Sequence, residues 1–343
     1  MRDDDGRGRL SRRDLLRRGA MGIAGVALAS ERLRALERHP GQATGAGHGP
    51  HDPSNAATQG MITGPSLDAH AFLEHFDYGI VSRLPDGRTT RDYEITAVDR
   101  DIEVAPGVLY PAWTYNGQVP GPTLRATEGD LVRVHFRNGG THAHTIHFHG
   151  VHAARMDGVY EVVQPGDSFA YEFIARPFGL HLYHCHTIPI KRHIAKGLYG
   201  AFIVDPPAPR PPAREMVMVM NGFDTNFDGS NEIYAANTVP FAYHHRPIQV
   251  RRGELQRLYL VNALEFDLLN SFHLHGNFFH VYRTGTKLAP DDFTDTVMLC
   301  QGERHILEFT YEDAGRFMFH AHQSEFTELG WMGVFEVAEG VVA

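Results

Sequence analysis

The sequence predicts an all-β chain arranged as two domains, and three observations lead there. At 343 residues with 42% apolar content, the chain is long enough for two cores of ordinary size. Gly and Pro are plentiful and separate many short runs rich in Val, Phe, Tyr and Thr, while long helical periodicity is scarce. The second half also repeats the order of motifs found in the first. Sandwiches or barrels satisfy all three.

Composition narrows the function classes. A formal net charge of -9 gives no basic patch for phosphates, so a nucleic-acid partner is not expected. Only Cys185 and Cys300 are present, which excludes a disulfide framework, whereas 23 histidines point to metal.

Residues 1–30 read as a targeting segment: Ser11-Arg12-Arg13-Asp14-Leu15-Leu16 resembles a twin-arginine export signal. The apolar run Ala20 to Ala29 is too short to stay in a bilayer, so an exported protein, periplasmic or extracellular, is expected rather than an integral membrane one. Export by this route suits a chain that loads its metal before crossing. The segment holds seven arginines against four aspartates, so its removal takes the net charge from -9 to -12. Residues 31–71 follow as a Gly- and Pro-containing arm without periodicity, in which His48 and His51 are given no role. A first domain is expected over 72–205, a proline-rich linker, PPAPRPPA, over 206–213, and a second domain over 214–343.

Within the first domain NGQVPGPTLRATEGDLVRVHFRN precedes HTIHFHG, and FAYEFIARPFGLHLYHCH follows. Within the second, PIQVRRGELQRLYLVN precedes NSFHLHG, and LEFTYEDAGRFMFHAH follows. Each unit therefore has a strand ending in His-x-His-Gly and, 35 or 45 residues later, a Gly turn leading into a second His-x-His strand.

Successive side chains of a strand face opposite ways, so His184 and His186 share a face while the sulfur of Cys185 points to the other. One tripeptide can serve two metal centres. Likewise His147 and His149 share a face, and His144, an odd number of residues away, projects inward with Cys185. A thiolate and two imidazoles with a weak or absent axial ligand form a blue-copper electron-transfer site, supplied here by Cys185, His144 and His193. The axial place falls to Leu198, five residues beyond His193, and an aliphatic side chain there raises the reduction potential relative to methionine.

The other imidazoles form a second set: His147, His149, His184 and His186 from the first domain, His273, His275, His320 and His322 from the second. Eight histidines suffice for three copper ions with positions left for oxygen, whereas one zinc wants about four ligands. In the second domain Asn270, Ala321 and Phe326 stand where His144, Cys185 and His193 would be, so blue copper is expected in the first domain alone.

With these motifs the chain, over roughly residues 90–343, resembles the two-domain, laccase-like multicopper oxidases that carry blue copper in the first domain and are related to copper nitrite reductases. The resemblance implies two cupredoxin-type Greek-key β-barrels and four coppers per chain. It places type 2 copper on His147 and His273, and the type 3 pair on His149, His184, His186, His275, His320 and His322. It further implies one-electron oxidation of phenolic, aromatic or metal-ion reductants, coupled to four-electron reduction of dioxygen to water. Four ligands per domain imply a homotrimer with each cluster between domains, though a cluster within one chain stays open. The seven-residue loop between Cys185 and His193 is longer than in typical three-domain oxidases and nearer to the nitrite reductases. Asp157, which resembles the family's Asp-Gly, and Glu325, three residues past His322, are candidates for delivering protons. Two alternatives remain: a copper nitrite reductase, which needs only a mononuclear catalytic copper with three histidines, and a non-catalytic electron-transfer or copper-storage protein. Met216, Met218 and Met220 read as one packed face of a strand, and Cys300 as a buried apolar thiol.

Overall fold

The computed structural model describes residues 68–339. The export segment expected over 1–30, and most of the arm expected over 31–71, lie outside the described residues.

Two sheets form from residues 80–205. One has the order β1 (Ile80–Arg83), β2 (Thr89–Ala105), β5 (Leu131–Asn138), β7 (Ser168–Ile174), with β3 (Val108–Tyr115) also paired to β2. The other runs β4 (Leu124–Thr127), β9 (Tyr199–Asp205), β8 (Gly179–His184), β6 (His147–Phe148). β2 pairs with β5 in parallel, as β4 does with β9; the remaining pairs are antiparallel. Parallel partners need long connections, and these carry the chain from one sheet to the other. Between the sheets the inward side chains of alternating strands close one core containing Tyr115, Phe136, Phe148, Tyr171, Tyr183, Leu198 and Phe202, and Cys185 belongs to it.

Residues 214–338 repeat the plan. One sheet has the order β11 (Ile233–Ala236), β10 (Arg214–Phe223), β13 (Gln256–Asn262), β18 (Arg304–Phe309), β15 (Phe279–Arg283), β16 (Asp292–Thr294). The second runs β12 (Ile248–Arg251), β20 (Met332–Ala338), β19 (Gly315–His320), β14 (Leu269–Leu274), β17 (Thr296–Cys300). The parallel pairs recur as β10 with β13 and β12 with β20. Met216, Met218 and Met220 are fully buried along β10, and so are Val217 and Val219 between them, so both faces of that strand are covered.

Among the described residues the α-helices are few and short: α1 (Ala69–Leu73), α2 (Ile190–Ala195), α3 (Ala242–His245) and α4 (Ser324–Glu328). Among the described residues no helix is long and apolar enough to cross a membrane. α1 corrects the expected limit of the arm, because residues 69–71 are helical. Asp68 caps the helix by accepting from His70 N–H at 3.0 Å, and Ala69 and Leu73 are buried. The carbonyl of Ala69 accepts the Tyr243 hydroxyl of α3 at 2.8 Å.

Between β9 and β10 the chain crosses 206–213 without a strand, and charges bridge the gap. Arg125 on β4 donates to Asp205 on β9 at 2.8 Å and to Glu215 on β10 at 2.6 Å. Glu215 accepts in turn from Arg257 and Tyr259, and Arg257 also binds Glu308 at 2.6 Å. Glu215 at the centre of this network has three donors, Arg125, Arg257 and Tyr259, so its charge is well matched where water competes poorly.

Cys300 is exposed, not buried as its apolar run suggests. β17 is an edge strand whose side chains alternate, Val297 and Leu299 inward, Met298 and Cys300 outward, so the thiol shares the solvent face.

Candidate metal centres

His144, Cys185 and His193 come together in the core of the first half, all buried and with ligand atoms within 4.8 Å of one another. The sulfur lies 3.2 Å from His193 Nδ1 and 3.9 Å from His144 Nδ1, and those two nitrogens are 3.2 Å apart. β8 ends at His184, so Cys185 still points inward as an extended chain dictates, while α2 turns the chain back to bring in His193. Leu198 is fully buried in the same core, and its carbonyl accepts Cys185 N–H at 3.0 Å. Its side chain offers no ligand atom. The sulfur also accepts Thr145 N–H at 3.4 Å. Burial pushes His144 down to about 3, with the neighbouring His193 and His142 adding to the effect, and burial brings His193 to about 4. Both imidazoles are therefore neutral at pH 7, the form that binds metal. One soft sulfur and two imidazoles aimed at one buried point fit copper.

On the opposite face β6 pairs with β8 so that His147 stands across from His184. His147, His149 and His184 have ligand atoms within 4.8 Å, and the His186 ring centroid is 5.4 Å from that of His147. The second half reproduces this through β14 and β19, with His273 across from His320, a cluster of His273, His275 and His320, and His322 at 5.5 Å from His273. Cys185 thus faces one centre while His184 and His186 belong to another.

Hydrogen bonds orient these rings. Nδ1–H of His147 donates to the Asp157 carbonyl at 2.8 Å, and that of His273 to the Asp295 carbonyl at 3.0 Å. Nδ1–H of His184 donates to the Cys185 carbonyl at 3.0 Å, and that of His320 to the Ala321 carbonyl at 2.6 Å. Each bond occupies Nδ1 and leaves the Nε2 lone pair for a metal. Because His184 and His320 carry their protons on Nδ1, their Nε2 atoms accept Nε2–H of His149 at 3.2 Å and of His275 at 2.9 Å, so each pair is already drawn together at the atoms a metal would use. Burial lowers His184 to about 4, and burial together with His184 and Arg304 lowers His149 to about 2.

The positions expected to lack blue copper are filled otherwise. Asn270 and Ala321 are buried, Phe326 stacks on Tyr234 at 4.0 Å, and Trp331 is fully buried while Met332 is only half so. Of the proposed proton carriers, Asp157 has a carboxylate oxygen 3.2 Å from His147 Nδ1, while Glu325 is exposed in the first turn of α4. It is Thr327, on the same helix, whose hydroxyl lies 3.3 Å from His320 Nδ1. Sequence reasoning missed Thr327, Thr145, Thr296 beside His273, and Arg304, whose Nη1 lies 3.4 Å from His149 Nδ1. Of these only Thr145 carried a signal, as the residue beside His144 in the first motif.

Ring contacts run within each set of four histidines, and among the described residues none joins one set to the other. The second set opens onto a surface depression of about 610 Å³ lined also by Asn277, Phe278, Phe293 and Asp295.

Paired curled sheets around a buried thiol–imidazole centre define a cupredoxin-type copper protein, here built twice with one such centre. Models of multicopper oxidase domains match residues 97–209 and 209–341, and the chain belongs to the multicopper oxidase family. It is similar to a solved structure described as a multicopper oxidase, at 56% identity and TM-score 0.79, covering 80% of this chain and 98% of that one. It is also similar to a copper nitrite reductase from Nitrosomonas europaea, at 27% identity and TM-score 0.67 over 73% of this chain and 94% of that one. A copper-containing nitrite reductase of Neisseria meningitidis serogroup A / serotype 4A is 30% identical over 259 residues, 68% of this chain and 67% of its own.

Proposed function

We propose that the chain is a laccase-like oxidase that takes single electrons from phenolic, aromatic or metal-ion reductants and passes them to dioxygen, giving water. The observation that carries this is the second set of ligands: four histidines in each half, held by matching strand pairs and matching Nδ1–H to carbonyl bonds. Electron transfer alone would need only His144, Cys185 and His193. Copper, when bound, supplies one-electron chemistry at Cys185 and dioxygen reduction at the eight histidines, as one type 1, one type 2 and two type 3 ions.

The residues of the chain arrange the rest. Cys185 is bonded through its own backbone to His184 and His186, and its carbonyl holds the proton of His184 Nδ1, so a short covalent and hydrogen-bonded path joins the centres. Asp157 fixes the His147 proton with its carbonyl and keeps a carboxylate 3.2 Å away, placed to pass protons inward. Glu325 is the second candidate for that role.

Because no ring contact joins the sets among the described residues of one chain, the active form is a homotrimer in which the first set of one copy faces the second set of the next. Exposed Val151 and Ile188, each two residues beyond a first-set histidine, and exposed Phe278 and Phe293 in the depression supply apolar surface for that contact. Export by the twin-arginine route, to the periplasm or beyond, completes the reading.

Likeness to nitrite reductases favours a second reading, nitrite reduction. Copper content and visible spectrum separate the two: four coppers per chain with an intense blue band and oxygen uptake with a phenolic dye support the oxidase, whereas two coppers with anaerobic nitrite turnover replace it with the reductase.

A further inference from the structure

The buried ligand His193 has one aromatic neighbour leading outward. Trp113 on β3 has its ring centroid 4.8 Å from His193 and 5.3 Å from His144. The exposed ring of His142 lies 4.5 Å from the indole, and the Arg192 guanidinium sits 5.0 Å from its centroid. Trp113 itself is only 6% exposed, so these groups, not the indole alone, meet a visitor from solvent.

α2 sets the charge around it. Lys191 and Arg192, which directly precede His193, are exposed, and among the described residues neither has a carboxylate within ion-pair distance. Lys191 Nζ lies 4.3 Å from the Phe266 centroid, and Lys196, just past the helix, lies 4.6 Å from that of Phe227 and donates to the Pro111 carbonyl at 2.8 Å. Asp99, Asp101 and Asp224 act on Lys196, and Glu265 feels Lys191 without pairing to it. An unpaired positive charge therefore sits at Arg192, over Trp113, with Lys191 next to it in the chain but over Phe266, on a chain whose net charge is -9. A local excess of this kind is what an otherwise acidic surface needs to attract an anion. A guanidinium lying over an aromatic ring can bind a planar oxyanion with its fork while leaving ring edges for apolar contact.

We propose that Arg192, His142 and Trp113 form a docking site for an anionic aromatic electron donor, a sulfonated, carboxylated or deprotonated phenol, its charge on the Arg192 guanidinium, with Lys191 adding to the positive field, and its ring against His142 and the indole. The proposal rests on the oxidase reading and narrows its substrate class.

Tryptophan emission of the metal-free protein tests it, because the chain has two tryptophans and Trp331 is fully buried. In the difference between wild type and W113F, 4-hydroxybenzenesulfonate should quench saturably at about a tenfold lower concentration than phenol. That advantage should vanish in K191E/R192E and at high salt. Equal quenching by the two probes, or an advantage that survives both high salt and charge reversal, overturns the docking site. If the double variant does not fold, the salt series on wild type decides alone. A copper-loaded protein without a blue band or oxygen uptake would instead remove the oxidase reading, whatever the probes show.

Discussion

Cys185 stands at a point where the alternation of an extended chain has a chemical use, since its sulfur and the flanking imidazoles serve different centres. Cys185→Ser should abolish the blue colour and reductant oxidation while most of the remaining copper stays bound, as checked by absorption and copper per chain. A second residue makes a pH prediction. Burial holds His181 at about 4, and the neighbouring Arg304 pushes the same way; its Nε2–H donates to the Pro177 carbonyl at 2.7 Å. Between its ordinary value near 6.5 and about 4, the unfolded chain binds a proton that the folded one refuses. The stability from neutral His181 is thus complete above pH 6.5 and falls away as pH drops through that window, by up to about 3 kcal/mol. Urea unfolding at pH 7 and pH 4.5 should show a smaller loss in His181→Leu than in wild type.

At the scale of elements, the strands that carry ligands were legible because period-two alternation acts between neighbours in sequence, as in His147–His149 or His184–His186. What stabilises those ligands was not. Asp295, between β16 and β17, and Thr296, at the start of β17, reach His273, and Arg304 reaches His149 from the other half of the chain, so their roles depend on register between distant strands. Cys300 was misjudged for a related reason: an apolar run does not reveal whether its strand is central or at an edge. α1 escaped notice because it is a single short turn of helix fixed by packing against α3 rather than by periodicity. The loop after β6 gives a further prediction. Gly158 has φ +68°, and a methyl group added there would fall 1.9 Å from the Ile146 carbonyl oxygen. Gly158→Ala must therefore displace Asp157, the residue that holds His147, and should cost about 2 kcal/mol or more of stability. Thermal melting and the copper retained per chain would register both effects.

For the whole molecule, the repeat in sequence revealed the doubled architecture, with a thiol–imidazole group in the first half and Asn270, Ala321 and Phe326 at the matching places of the second, but the sequence left open whether the eight histidines converge within a chain. The lack of ring contact between the two sets leads to a mixing experiment. Chains carrying His149→Ala and chains carrying His275→Ala should each be inactive as oxidases. Unfolded and refolded together in equal amounts, they should recover about a quarter of the wild-type activity, because one junction in four then joins two intact sets. No recovery, with trimers formed, would mean that clusters are closed within single chains.

The separation of the two ligand sets also bears on safety in the cell. On the oxidase reading proposed above, a lone copy would hold the two halves of its oxygen site apart, so copper captured early would have no complete chamber in which to generate partly reduced oxygen. Association of copies would then act as the arming step, and strong dilution should silence turnover before it unfolds the barrels.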